Sequence, residues 1–305
     1  TGNNQELLDL KFLFISGKPE RKTLSVVNLY SYGEYKYESL SDDQILKAKS
    51  ILLHPNASGY KIRSVISGHG HAGPKNCCEW DSKTHTYYLN GWRLFRWNVW
   101  KDCGNNPIYP QGGTWPFDRA GWCPGQASDI REDDISSYVS PGQIHNIDYG
   151  VVSASGNSNY WVSSQLISYD QPNHSLDAAI VDILSPTNEV LHLRTNPVCS
   201  KPKITIQNTG STTLTSLQID YWVNNSSVHE TFLWTGSLNF LEKEEVTLPD
   251  PNSLWDNIAG NNNSFNVHII SPNNSSDEYF FNNSMSSGFE PAPTYPNTFS
   301  LWFQT

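Results

Sequence analysis

Short runs of apolar, β-branched and aromatic residues, each closed off by Gly, Pro, Asn or Ser, recur along this chain. They fall at residues 8–15, 23–30, 61–67, 84–89, 160–167, 203–207, 217–223, 265–270 and 298–303. Runs of this length and punctuation are strand signals. Successive strand side chains point to opposite faces, so each run buries one face and needs a second layer to cover it. The predicted fold is all-β, built as sandwiches or jelly rolls. Two segments depart from the pattern. Residues 41–50 have an acidic start and a basic end, which predicts a short helix. Residues 130–136 are expected to form a second short helix or an acidic loop.

The length of 305 residues sets a prior of two domains. Composition shifts near residue 170. Most of the Gly, Trp, His and Cys lie before it, and an Asn-, Ser- and Thr-rich stretch follows. Residues 170–175 (DQPNHS) read as a linker, and a Pro-rich break comes at 286–296. The expected domains are therefore 1–170 and 171–288, with 289–305 a terminal strand or the start of a further domain. Lys+Arg total 20 against 30 Asp+Glu, a net charge of −10. That excludes a general nucleic-acid binder, which needs a basic face to release counterions. No apolar run approaches the ~18 residues of a membrane-spanning helix.

The five cysteines, Cys77, Cys78, Cys103, Cys123 and Cys199, contain no C-x-x-C pair, so they fit no zinc pattern. Disulfides in a secreted protein are the better reading, with at least one thiol left over. Residues 66–125 are unlike the rest: Gly and Pro turns present His69, His71, Glu79, Trp80, Asp81, His85, Arg119 and Trp122. Indole faces stack on the apolar side of sugars, while carboxylates and guanidinium groups fix orientation by hydrogen bonds. The block reads as a carbohydrate or peptide cleft. A buried Arg119–Glu79 pair that only braces loops is the competing reading. Trp92, Trp97 and Trp100 alternate with polar residues and are expected to pack in the core or against the sheet.

This block resembles the C-terminal half of the peptide-N-glycosidase F family. The matching elements are ISGxGHAxP (66–74), CxEW (77–80), THT (84–86), CxxNP (103–107) and DRAGWCPG (118–125). The resemblance extends diffusely from the run at residue 8 to residue 168. It implies a jelly roll, in a family with two adjacent jelly rolls and an active site in the groove between them. It implies that Glu79 assists catalysis, that Trp80, Arg119, Trp122 and His71 hold an N-glycan or glycopeptide, and that Cys103 pairs with Cys123. The family's essential Asp lies in its N-terminal jelly roll, in a C-x-x-W-D type motif, and no such domain precedes residue 8 here. Asp81 follows Trp80, but in the other half. The chain alone is therefore expected to be inactive, an amidohydrolase only if that domain is supplied. No cofactor is expected.

Two alternatives stand beside this reading. One is a non-catalytic binding or structural subunit of a larger bacterial extracellular assembly. The other is a copper monooxygenase-like site: His69 and His71, two apart on a strand, point to one face, and His85 would complete the set. Beyond residue 170, the runs at 203–210, 217–224, 234–238, 245–248 and 265–270 resemble immunoglobulin-like modules of bacterial adhesion-type proteins. The full expectation is a jelly-roll β-sandwich followed by an immunoglobulin-like β-sandwich. The second module is expected to serve as a spacer or attachment, and the protein to be secreted or on the outer cell surface. The chain's eight Asn-x-Ser/Thr sequons are read as Asn-rich loops. The chain starts with Thr1, without an initiator Met or signal peptide, and the runs at 7–15 and 299–303 are strong strands at its ends. It is therefore expected to be an internal piece of a longer one, paired with missing domains of its parent or with a neighbouring surface protein.

Overall fold

The computed structural model describes residues 16–72, 77–107, 113–152, 158–195 and 197–292, with Lys11, Phe12, Phe14, Thr298 and residues 300–302. The first half contains β1 (Arg21–Lys36), a one-turn helix α1 (Tyr37–Ser41), β2 (Lys49–Leu52) and β3 (Gly59–His69). A two-residue ladder follows, β4 (His71–Ala72) with β5 (Cys77–Cys78). Then come β6 (Lys83–Leu89), β7 (Trp92–Val99), β8 (Ile130–Asp134), β9 (Ile144–Val151) and β10 (Asn159–Pro172). They form two four-stranded antiparallel sheets, ordered β1-β10-β3-β8 and β2-β9-β6-β7.

Strict alternation explains the core. Along β10, Tyr160, Val162, Ser164 and Leu166 are buried while Trp161, Ser163, Gln165 and Ile167 are less so. Along β3, Tyr60, Ile62, Ser64 and Ile66 face the same way. The opposite sheet contributes Tyr87, Leu89, Ile147, Tyr149 and Val151 to one apolar cluster. The buried hydroxyl at the centre of the core is paired: Tyr87 Oη lies 2.7 Å from both Ser64 Oγ and Ser164 Oγ.

The second half contains β11 (Ala178–Ser185), β12 (Lys203–Asn208), β13 (Leu214–Val223), β14 (Glu230–Leu238), β15 (Lys243–Thr247), β16 (Asn263–Ile270) and β17 (Ser284–Phe289). They pack as a three-stranded sheet, β11-β12-β15, on a four-stranded one, β14-β13-β16-β17. Alternate residues of β12, β13 and β16 fill its core, among them Ile204, Ile206, Ile219, Tyr221, Phe265 and Val267. The molecule is thus all-β, a jelly-roll sandwich followed by a second, seven-stranded β-sandwich.

Several local expectations are corrected. Residues 41–50 hold no helix beyond α1. Asp43 and Leu46 take positive φ, and β2 begins at Lys49. A ten-residue helix is marginal alone, and Ile45 and Leu46 pack on the core instead. Residues 130–134 form edge strand β8, where Lys61 Nζ meets Glu132 Oε2 at 2.7 Å across to β3. Trp97 does pack on the core, stacked on Tyr87 at 5.4 Å, but Trp92 is 81% exposed on edge strand β7 and Trp100 is also exposed. Most of the run at 8–15 lies outside the described residues. Lys11, Phe12 and Phe14 form no strand there, nor do residues 300–302 at the other end. Strand β10 continues through the expected linker to Pro172, and Asn173 N–H donates to Glu20 O at 2.7 Å.

At the start of the second sandwich Asp177 is 1% exposed. Its Oδ2 accepts from Thr209 Oγ1 at 2.6 Å and from Asn282 Nδ2 at 3.2 Å. Burial, and a hydrogen bond shared with Asp277, raise its pKa well above the ordinary carboxylate range. The folded state then holds this proton more tightly than the unfolded one. Stability from this group is full below the unfolded carboxylate pKa and is lost as pH rises through the raised value. Thermal melts should show Tm falling from about pH 5 to about pH 8, with a flatter slope in Asp177→Asn. An unchanged slope in that variant would remove Asp177 as the cause.

Candidate functional site

Three segments meet at the end of β3, and glycine lets them. A Cβ on Gly68 would lie 2.0 Å from the Cys78 carbonyl oxygen. Gly121 has φ +77°, and a Cβ there would lie 2.3 Å from Ile66 O. Only glycine tolerates such approaches and that φ. The backbones are then laced together: Gly68 N–H donates to Ala120 O at 2.8 Å, and Ala120 N–H to Glu79 O at 3.0 Å.

The segment that carries residues 113–123 belongs to the long connection between β7 and β8. A Cys103–Cys123 disulfide closes it, with the pairing that the resemblance implied. Cys78 is also disulfide-bonded, and Cys199 is free and exposed.

This scaffold brings Glu79, Trp80, Arg119 and Trp122 together. Arg119 Nε donates to Glu79 Oε1 at 3.2 Å. Its Nη1 donates to Phe117 O at 3.0 Å, and Nη2 to Thr114 O and Oγ1, each at 2.9 Å. The guanidinium carbon lies 4.3 Å from the Trp80 ring centre and 5.0 Å from that of Trp122. The side chain is 3% exposed, while Glu79 is 21% exposed. Trp122 turns its indole N–H to Gly68 O at 2.9 Å and offers a ring face to His69, stacked at 5.1 Å. His69 Nε2 lies 2.8 Å from Ser67 Oγ. Burial lowers the His69 pKa, against the pull of the Glu79 and Glu34 charges.

A cleft of about 300 Å³ opens beside this cluster, lined by Tyr32, Val65, Ser67, His69, Trp122, Gln126, Ser128 and Trp161. Tyr32 stacks on Trp161 at 5.1 Å and is 73% exposed. Gln126 Oε1 is buried without a hydrogen-bond partner among the described residues. The cross-strand row Glu34, Trp161 and Ser67 runs along the outer face of the sheet. Sequence reading missed Tyr32, Glu34, Gln126 and Trp161. Trp161 was legible as the outward partner of buried Tyr160 and Val162; the other three carried no local signal.

Two of the histidines proposed for copper are described. His85 is fully buried in the sandwich core, with Nδ1 2.6 Å from Tyr149 Oη and an edge-on Tyr160 ring at 4.6 Å. Burial lowers its pKa to about 3. His69 lies at the cleft, and the His71 side chain is outside the described residues. Among the described residues no group of three or more His, Cys, Asp and Glu is arranged to hold a metal ion.

Residues 36–168 match the family described as Peptide-N-glycosidase F, C terminal. The chain is 31% identical over 186 residues to the peptide-N(4)-(N-acetyl-β-D-glucosaminyl)asparagine amidase F of Elizabethkingia miricola, covering 56% of this chain and 51% of that protein. It is also similar to the solved structure of PNGase F, a glycosylasparaginase from Flavobacterium meningosepticum. That match has 30% identity and a TM-score of 0.46, and it covers 51% of this chain and 55% of the other. The first sandwich is therefore homologous to peptide-N-glycosidase F, and the chain spans about half the length of the relatives it matches. Among the described residues no helix is long and apolar enough to cross a membrane.

The disulfide closes a loop of sequence separation 20 around Arg119. In the chain-entropy view such a link contributes ~3 kcal/mol. The double variant Cys103→Ser/Cys123→Ser should lose about that much in urea denaturation. A loss under ~0.5 kcal/mol, the size of a neutral surface change, would show that the laced backbone holds without it.

Proposed function

We propose that the first sandwich is the glycan-recognising half of a peptide-N-glycosidase F-like protein that works outside the cell or on its surface. The observation that carries this is the cleft beside Glu79, which combines two stacked aromatic pairs, a hydroxyl and an unpaired buried acceptor. Aromatic faces with a few convergent polar groups suit the alternating apolar and hydroxyl surfaces of a sugar. The ligand is an N-glycan core or glycopeptide. Trp80, Trp122 and His71 take the substrate side, Arg119 holds Glu79 in place, and Glu79 assists the reaction.

Amide hydrolysis needs an activated water and a donor for the leaving nitrogen placed together. The Asp that the family resemblance makes essential belongs to a separate jelly roll, so these 305 residues bind without cleaving. A non-catalytic surface subunit is the second reading. The near-complete engagement of the Arg119 guanidinium by protein oxygens favours it, because a brace needs no substrate. The second sandwich resembles an adhesion-type immunoglobulin-like module and serves attachment.

Calorimetric titration with an N-glycopeptide and mass spectrometry of the released glycan test this. Binding without release is expected. Trp161→Ala, on the outer face of the sheet, should weaken binding about tenfold, equivalent to ~1.4 kcal/mol, with an unchanged melt. Release of glycan by this chain alone would refute the account of the separate acid. Absence of binding at millimolar glycopeptide would refute recognition.

A further inference from the structure

The connection between β11 and β12 belongs to the second sandwich, yet it reaches the candidate site. It is anchored at home. Asn188 N–H donates to Gly288 O at 2.8 Å, Asn188 Oδ1 accepts from Glu290 N–H at 3.2 Å, and His192 Nε2 lies 3.1 Å from Asp182 Oδ2 on β11. A 3-10 turn, Leu193–Thr195, then projects Arg194 toward the first sandwich. Arg194 Nη1 donates to Asn106 O at 2.7 Å, and its guanidinium carbon lies 5.6 Å from the Trp115 ring centre.

Both contacts fall on the connection that builds the site. Asn106 is fully buried and is pinned by Nδ2 to Pro124 O at 2.7 Å and by its N–H to Cys103 O at 3.1 Å. Its carbonyl is the group turned to Arg194. Trp115 follows Thr114, whose two oxygens hold Arg119 Nη2, and Arg119 in turn holds Glu79. A charge-assisted hydrogen bond and a cation over an indole are both stronger than neutral contacts. Lys would supply the charge but not the planar fork. Arg194 lies beyond residues 36–168, the stretch that matches the family.

We propose that Arg194 is a positioning residue for the Glu79–Arg119 site, so that the second sandwich completes the site rather than only carrying it. The ligand half of this inference rests on the glycan reading above; the positioning half does not. Hydrogen exchange of the ligand-free 305-residue protein reads positioning directly at the amides of Phe117 and Arg119, which donate to Thr114 O and Lys101 O. In Arg194→Ala both amides should exchange about tenfold faster, with core amides of β3 and β13 unchanged. Glycopeptide binding should weaken about five- to tenfold. Arg194→Lys should recover part of the protection, through the hydrogen bond to Asn106 O without the flat contact on Trp115. Wild-type exchange in Arg194→Ala would overturn the proposal. Faster exchange throughout both sandwiches would also overturn it, since that marks a general stability role. If exchange rises locally while wild-type protein binds no glycopeptide, the positioning stands and the glycan reading fails.

Discussion

A guanidinium taken out of water must find oxygen for its donors, because an uncompensated buried charge costs several kcal/mol. Arg119 is almost wholly buried, and its partners include one 40 residues away in sequence. Thr114 and Phe117 lie on its own connection, and Glu79 on the turn after β5. Each partner fixes the segment that offers it. The two indoles that sandwich the cation are fixed by the same demand. Glu79 is therefore not an isolated acid on a loop. Its position follows from where the arginine has to be.

That arrangement needs backbones closer than side chains allow, and here the sequence was readable. The glycines at 68 and 121 sit in the motifs ISGxG and DRAG, where a Cβ would collide with a carbonyl at 2.0 and 2.3 Å. The glycine-bounded block rich in Trp was read as turns presenting the site residues, and the structure adds that two of its glycines permit close backbone approach. Alternation located the central strands well, because β10, β3 and β13 each bury one face. Some sheet edges, β8 and β2 among them, were not legible. β8 is a run of charges held by pairing to β3, and the one-turn α1 gives way to β2 because Ile45 and Leu46 have a core to join. The aromatic shelf was also hidden. Tyr32 and Trp161 are 129 positions apart and meet only because β1 pairs with β10.

The junction between the sandwiches carries more order than a linker composition suggests. Asn173 joins the segment just ahead of β1 through backbone and side chain, to Glu20 O and Pro19 O. His174 is buried against Tyr279 at 5.4 Å. Asp177 follows three residues later with its shared proton. Within the stretch read as a linker, Asn173 is hydrogen-bonded and His174 is buried, and polar groups so placed specify one arrangement over others. This is the physical setting in which Arg194 can act across the junction. A contact between two bodies positions a loop only when the bodies themselves are held.

The charge around the cleft narrows what it can hold. None of its eight lining residues carries a fixed positive charge. Arg119, whose guanidinium lies against Trp122, has its donors turned to protein oxygens. Burial lowers the His69 pKa, and the nearby Glu34 and Glu79 carboxylates add negative potential. The chain as a whole is at −10. An anionic ligand would lose its hydration and meet no counter-charge, which costs more than any stacking returns. A neutral ligand with hydroxyl and amide donors meets the reverse situation: ring faces for its apolar side, and acceptors at Gln126 Oε1 and the two carboxylates for its polar edge. On the glycan reading, this selects the neutral inner sugars of an N-glycan, with acidic residues of the outer branches kept away from the cleft.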